Sequence, residues 1–99
     1  MKKMHLASLS AVVLGCGLAL QASADDAGRN LAATCTTCHG KGASATGALD
    51  GRPKSEIVQT MKDFKSGARP ATLMHQLAKG YTEQQVALIA EYFSQQKAR

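Results

Sequence analysis

The chain has 99 residues, with 12 Lys/Arg against 7 Asp/Glu for a net charge of +5, and its only aromatics are two tyrosines and two phenylalanines. The basic residues are neither clustered nor interleaved with aromatics, which leaves a nucleic-acid role without support. So little apolar surface also excludes a domain held together by a large core alone.

The first segment reads as a leader. Met1-Lys2-Lys3 gives a positive start, Leu6 to Leu20 is an apolar run broken only by small residues, and Ala22-Ser23-Ala24 has the small-x-small pattern read by signal peptidase. The pattern predicts a signal peptide over residues 1–24, cleaved after Ala24, and an exported, periplasmic domain over residues 25–99. Two alternatives stand beside it. An uncleaved anchoring helix fits poorly with the polar Gln21. A lipoprotein signal at Val13-Leu14-Gly15-Cys16 would put the domain on a membrane through a lipidated Cys16, although Leu14 suits that pattern badly. The remaining 75 residues carry ten Lys/Arg and seven Asp/Glu, a net charge of +3. A domain below roughly 80 residues usually needs a disulfide, a metal or another staple.

Asp25 to Thr34 is expected to form a short helix. Its acidic pair Asp25-Asp26 suits a helix N-terminus, and Ala27, Leu31 and Ala32 give it a small apolar face. Gly28 on that helix either allows another backbone close or is merely tolerated.

The helix delivers Cys35, Cys38 and His39, a Cys-x-x-Cys-His motif. A structural zinc site needs four ligands, and only His75 remains as a fourth. A thioredoxin-like dithiol belongs at a helix start within a strand-helix-strand unit, and no strand run is evident. In an exported chain the spacing fits covalent attachment of one haem c, with both thiols as thioethers and His39 as the proximal iron ligand. A disulfide across so short a loop would restrain the unfolded chain weakly. A macrocycle, by contrast, supplies the missing apolar core.

Gly40 to Arg52, with Gly40, Gly42, Gly47 and Gly51, is a loop. Ile57, Val58, Met61 and Phe64 fall on one face of a helix expected from about Ser55 to Lys65, with Gly67 beyond its end. Arg69-Pro70 opens a short segment from Ala71 to Lys79, with Leu73, Met74 and Leu77 on one side and Gly80 as its stop. The last helix starts at a capping box, Thr82 with Gln85, and Tyr81 and Val86 make a hydrophobic staple. Val86, Ile89, Ala90 and Phe93 form its inward stripe. The fold expected is all-α: one domain, about four short helices around one haem.

Iron held by a histidine takes its character from the opposite ligand. Residues 25–99 offer Met61, Met74 and His75. Met61 lies within an apolar stripe and is read as a core residue. Met74 sits between Pro70 and Gly80, where the backbone has few other duties, and is taken as the axial ligand. A bis-histidine site through His75 and an open iron remain as alternatives.

These features together resemble the class I c-type cytochromes: a helix, Cys-x-x-Cys-His, a glycine loop, a methionine, and a last helix carrying Tyr92-Phe93 to pack on the first. The resemblance implies that Gly28 meets such an aromatic. Within the family, residues 63–93, "DFKSGARPATLMHQLAKGYTEQQVALIAEYF", are similar to the cytochrome subunits of flavocytochrome c sulfide dehydrogenases, and that likeness also puts the axial methionine at Met74. Relatives usually carry a proline after the motif whose carbonyl supports the proximal histidine. Here no proline precedes Pro53, so the sequence does not name the partner of the His39 ring N–H.

The resemblance implies a single-electron carrier that is not an enzyme on its own, served by a flavoprotein subunit (FAD) or another redox protein. A free shuttle to a terminal oxidase and a haem gas binder are the alternatives. Lys41, Lys54, Lys62, Lys65, Arg69 and Lys79 could steer an acidic partner, or form an ordinary solvated surface. Mass spectrometry of the exported protein should give a mature form beginning at Asp25. A form beginning at an acylated Cys16 would overturn the cleavage assignment.

Overall fold

The computed structural model describes residues 24–43 and 47–97. The expected leader and Cys16 lie outside them. The described residues form helices and no strand: α1 over residues 24–32, α2 over Thr36–His39, α3 over Lys54–Ser66, α4 over Met74–Leu77 tightening into a 3-10 turn over Ala78–Gly80, and α5 over Glu83–Ser94. Among these residues no helix is long and apolar enough to cross a membrane.

Local signals set the helix ends. On α1 the Arg29 guanidinium meets the Asp26 carboxylate at 2.7 Å. Gly67 follows α3 with φ 83°, and its N–H closes on the Phe64 carbonyl. The expected capping box is present at α5: the Gln85 N–H donates to Thr82 Oγ1 at 3.1 Å, and the Thr82 N–H donates to Gln85 Oε1 at 2.9 Å. Both otherwise orphaned donors are thereby satisfied.

The core lies where α1, α3 and α5 meet. Ala32 from α1, Ile57 from α3, and Ile89, Ala90 and Phe93 from α5 are buried together. Phe93 is the largest fully buried side chain, and its ring meets that of Tyr92 edge to face at 5.4 Å. Helix α1 reaches α5 at Gly28, where a Cβ would stand 2.9 Å from the Leu88 carbonyl oxygen and 3.6 Å from Tyr92 Cβ. The expected meeting of Gly28 with the Tyr92 side of the last helix is thus observed, and it depends on the absence of a side chain.

The stripe on α3 divides. Ile57 and Val58 join the core, whereas Met61 lies outside it, lining a surface groove with Lys62, Lys65 and Val86. The expectation that Met61 is a core residue is corrected here. Ala78 of the 3-10 turn and Glu83 of α5 also line that groove. Phe64 is likewise only half-buried and carries the Arg69 guanidinium 5.3 Å from its ring centre, a cation–π contact. In the segment after Pro70 a helix begins at Met74, following Leu73 at φ −136°, and a 3-10 turn ends at Gly80, the expected stop.

Gly28→Ala should lose about 1–3 kcal/mol of stability, the usual cost of forcing atoms into a packed contact. A guanidinium unfolding curve should show a lower midpoint at unchanged slope. A midpoint equal to that of the parent would contradict the close approach to Leu88.

Candidate functional site

The turn after α1 brings the motif residues together. Cys35 caps α2, Cys38 lies within it and His39 ends it. The Cys35 carbonyl accepts from the Cys38 N–H at 3.3 Å and the His39 N–H at 2.8 Å. One helical turn therefore fixes the spacing of two sulfurs and an imidazole. Cys35 is half-buried against the core, and Cys38 is exposed.

The partner of His39 that the sequence did not name is Gly47. His39 Nδ1 lies 2.8 Å from the Gly47 carbonyl oxygen, so Nδ1 is the protonated nitrogen and donates. In a neutral ring this leaves the Nε2 lone pair available as a ligand. Gly47 has φ 78°, a left-handed conformation that a side chain would strain. The loop is pinned on both sides of the motif. The Leu49 N–H donates to the His39 carbonyl at 3.4 Å, and the Gly51 N–H donates to the Phe93 carbonyl at 2.9 Å. Arg52 Nε donates to the Ala48 carbonyl at 3.0 Å. The only sequence sign of this arrangement was the density of glycines, which marked a loop without saying which carbonyl turns inward.

Met74 opens α4, away from the motif in sequence and half-buried. The large hydrophobics that stand exposed among the described residues, Leu73 at 57% and Leu77 at 47%, both flank it. Apolar surface is thus gathered around the thioether. His75, beside it, has a buried Nδ1 with no hydrogen-bond partner. Among the described residues no three His, Cys, Asp or Glu side chains converge as a metal-binding group, so His75 does not complete a zinc site with the motif.

These residues fit a haem of the c type. Two thiols are set one turn apart, one imidazole is held in the tautomer that presents Nε2, and a half-buried thioether lies in a short segment that also carries the exposed Leu73 and Leu77.

No protein-family model matches the chain. The cytochrome subunit of sulfide dehydrogenase from Chlorobaculum tepidum is 38% identical to it over 69 residues, covering 67% of this chain and 63% of that subunit. The chain thus spans less than two thirds of that relative. In sequence and in its small all-α fold the chain resembles a cytochrome c of that subunit's kind.

Burial raises the pKa of the Cys35 thiol above its ordinary value, against smaller lowering contributions from Thr34 and the backbone. A raised pKa leaves less thiolate at a given pH, and thiolate is the reactive form. In the reduced, cofactor-free chain, iodoacetamide at about pH 8 should therefore modify Cys38 before Cys35. Peptide mapping of a partly alkylated sample checks the order, and faster modification of Cys35 would contradict it.

Proposed function

We propose that the chain carries one haem, bonded through thioethers to Cys35 and Cys38 and bound at iron by His39 Nε2 and Met74 Sδ, and that it moves single electrons in the periplasm. The observation that carries this reading is the His39 Nδ1 to Gly47 hydrogen bond within a Cys-x-x-Cys-His turn. A ligating histidine usually donates its other N–H to a fixed acceptor, which sets ring orientation and raises basicity. When bound, the group supplies a ferric/ferrous couple whose potential follows its axial ligands.

Each residue has a separable task. Cys35 and Cys38 anchor the group to the α2 turn. Gly47 holds the proton on His39 Nδ1 and fixes the ring plane. Leu73 and Leu77 keep water from the thioether side, and exclusion of water favours the less charged, reduced state. Met74 is favoured over His75 as the second axial ligand. The Nδ1 of His75 is covered by protein, which keeps that nitrogen from iron. No acceptor stands by that nitrogen to hold a proton on it and so orient Nε2 toward iron, the support that His39 has from Gly47.

The Chlorobaculum tepidum relative is a subunit of sulfide dehydrogenase, and this supports a flavoprotein subunit as the electron donor. In that assembly the partner oxidises sulfide and this chain accepts the electrons one at a time. Export through the leader would place it in the periplasm beside such a partner.

The test is a visible and near-infrared spectrum of the exported ferric protein and of Met74→Ala. The parent should show the thioether-to-iron charge-transfer band, and Met74→Ala should lose it and bind carbon monoxide readily when reduced. A band that survives the substitution, or is absent in the parent, would remove Met74 from the iron.

A further inference from the structure

Tyr81 makes contacts that neither haem attachment nor iron ligation accounts for. It stands between the 3-10 turn and the Thr82 cap of α5, seven residues after Met74. Its ring packs on the core cluster, and its N–H donates to the Ala78 carbonyl at 3.3 Å. From α3, Lys65 Nζ donates to the Tyr81 carbonyl at 2.7 Å. Its hydroxyl lies 3.1 Å from Thr34 Oγ1, a contact spanning 47 residues.

The proton in that last contact can be assigned. Thr34 Oγ1 donates to the Leu31 carbonyl at 3.2 Å, which uses the one proton a threonine hydroxyl has. The Tyr81 hydroxyl is then the donor to Thr34. A relay runs from Tyr81 through Thr34 to the last turn of α1, and Thr34 is the residue immediately before Cys35. The side chain of Tyr81 therefore joins the segment that bears the methionine to the segment that bears the cysteines and histidine. Lys65 holds the same residue by its backbone from the other side.

We propose that Tyr81 is a positioning residue for the second axial ligand: its hydrogen bond to Thr34 holds residues 74–81 against the Cys35–His39 turn and so keeps Met74 on the iron. The proposal rests on the reading of Met74 as an axial ligand. Without the bond, the segment samples more open arrangements in which the thioether has left. An exogenous ligand that binds only the open arrangement gains apparent affinity in proportion to that population.

The probe is imidazole, titrated against the ferric, haem-loaded protein and followed in its visible spectrum. Tyr81→Phe keeps the packed ring and removes only the hydroxyl, Thr34→Val removes the acceptor at an exposed site, and Thr34→Ser restores it. Tyr81→Phe and Thr34→Val should each raise the apparent imidazole affinity roughly two- to tenfold, the reach of one hydrogen bond. The double variant should gain no more than either single, as expected of two partners in one interaction, and Thr34→Ser should match the parent. Single variants that bind imidazole like the parent, a double variant whose effects multiply, or a Thr34→Ser that behaves like Thr34→Val would overturn the role of Tyr81 while leaving Met74 as ligand. A parent without the thioether band would overturn the ligand assignment and this proposal together.

Discussion

The crossing of α1 and α5 at Gly28 is the contact on which the rest of the molecule depends. With no side chain there, the Leu88 carbonyl comes within 2.9 Å of where a Cβ would stand, and the two helices bring Ala32 and Phe93 into one cluster. Phe93 then serves twice. Its ring fills the core, and its carbonyl takes the Gly51 N–H at 2.9 Å, tying the glycine loop to α5. That tie, with the Leu49 bond to the His39 carbonyl, sets where Gly47 stands and hence which nitrogen of His39 carries the proton. A packing requirement at one end of the chain thus reaches the chemistry of the imidazole through four named residues.

The parts of this chain that the sequence expresses most clearly are those governed by local rules. Thr82 and Gln85 cap α5 because a hydroxyl and an amide three residues apart can satisfy each other's orphan N–H, and both bonds are present. Gly67 ends α3 for an equally local reason. The Cys-x-x-Cys-His spacing is local as well, and a single helical turn holds it. By contrast, the acceptor for His39 is eight residues away in a loop with no periodicity, and a carbonyl has no sequence signature of its own. A proline at the usual place would have marked it, but Gly47 does the work here with a left-handed backbone. Met61 was misjudged for the opposite reason. Its spacing on α3 is right for a core position, but spacing does not fix burial, and the side chain lines a surface groove with Lys62 and Lys65.

The contrast between His39 and His75 shows how much the second nitrogen of an imidazole decides. Both histidines are half-buried. His39 has a carbonyl at 2.8 Å for its Nδ1 proton, so Nε2 can give its lone pair without leaving a polar group unpaired. His75 has a covered Nδ1 and no partner for it. No neighbour therefore fixes which of its two nitrogens carries the proton. Residue type alone makes the two histidines equivalent, and the hydrogen bond to Gly47 fixes the tautomer of only one of them.

The surface cations divide along similar lines. Lys54 pairs with Glu91 at 3.0 Å across α3 and α5, Lys65 donates to the Tyr81 carbonyl, and Arg69 lies over the Phe64 ring. Half of the six cations that the sequence offers for steering a partner thus have intramolecular tasks. Their charge still contributes to the field at a distance, but their side chains are not loose enough to reorganise onto an acidic surface without giving up those contacts. Lys41, Lys62 and Lys79, all exposed, are then the cations best placed to meet a partner. Any steering they provide acts over about one Debye length, about 8 Å at physiological ionic strength.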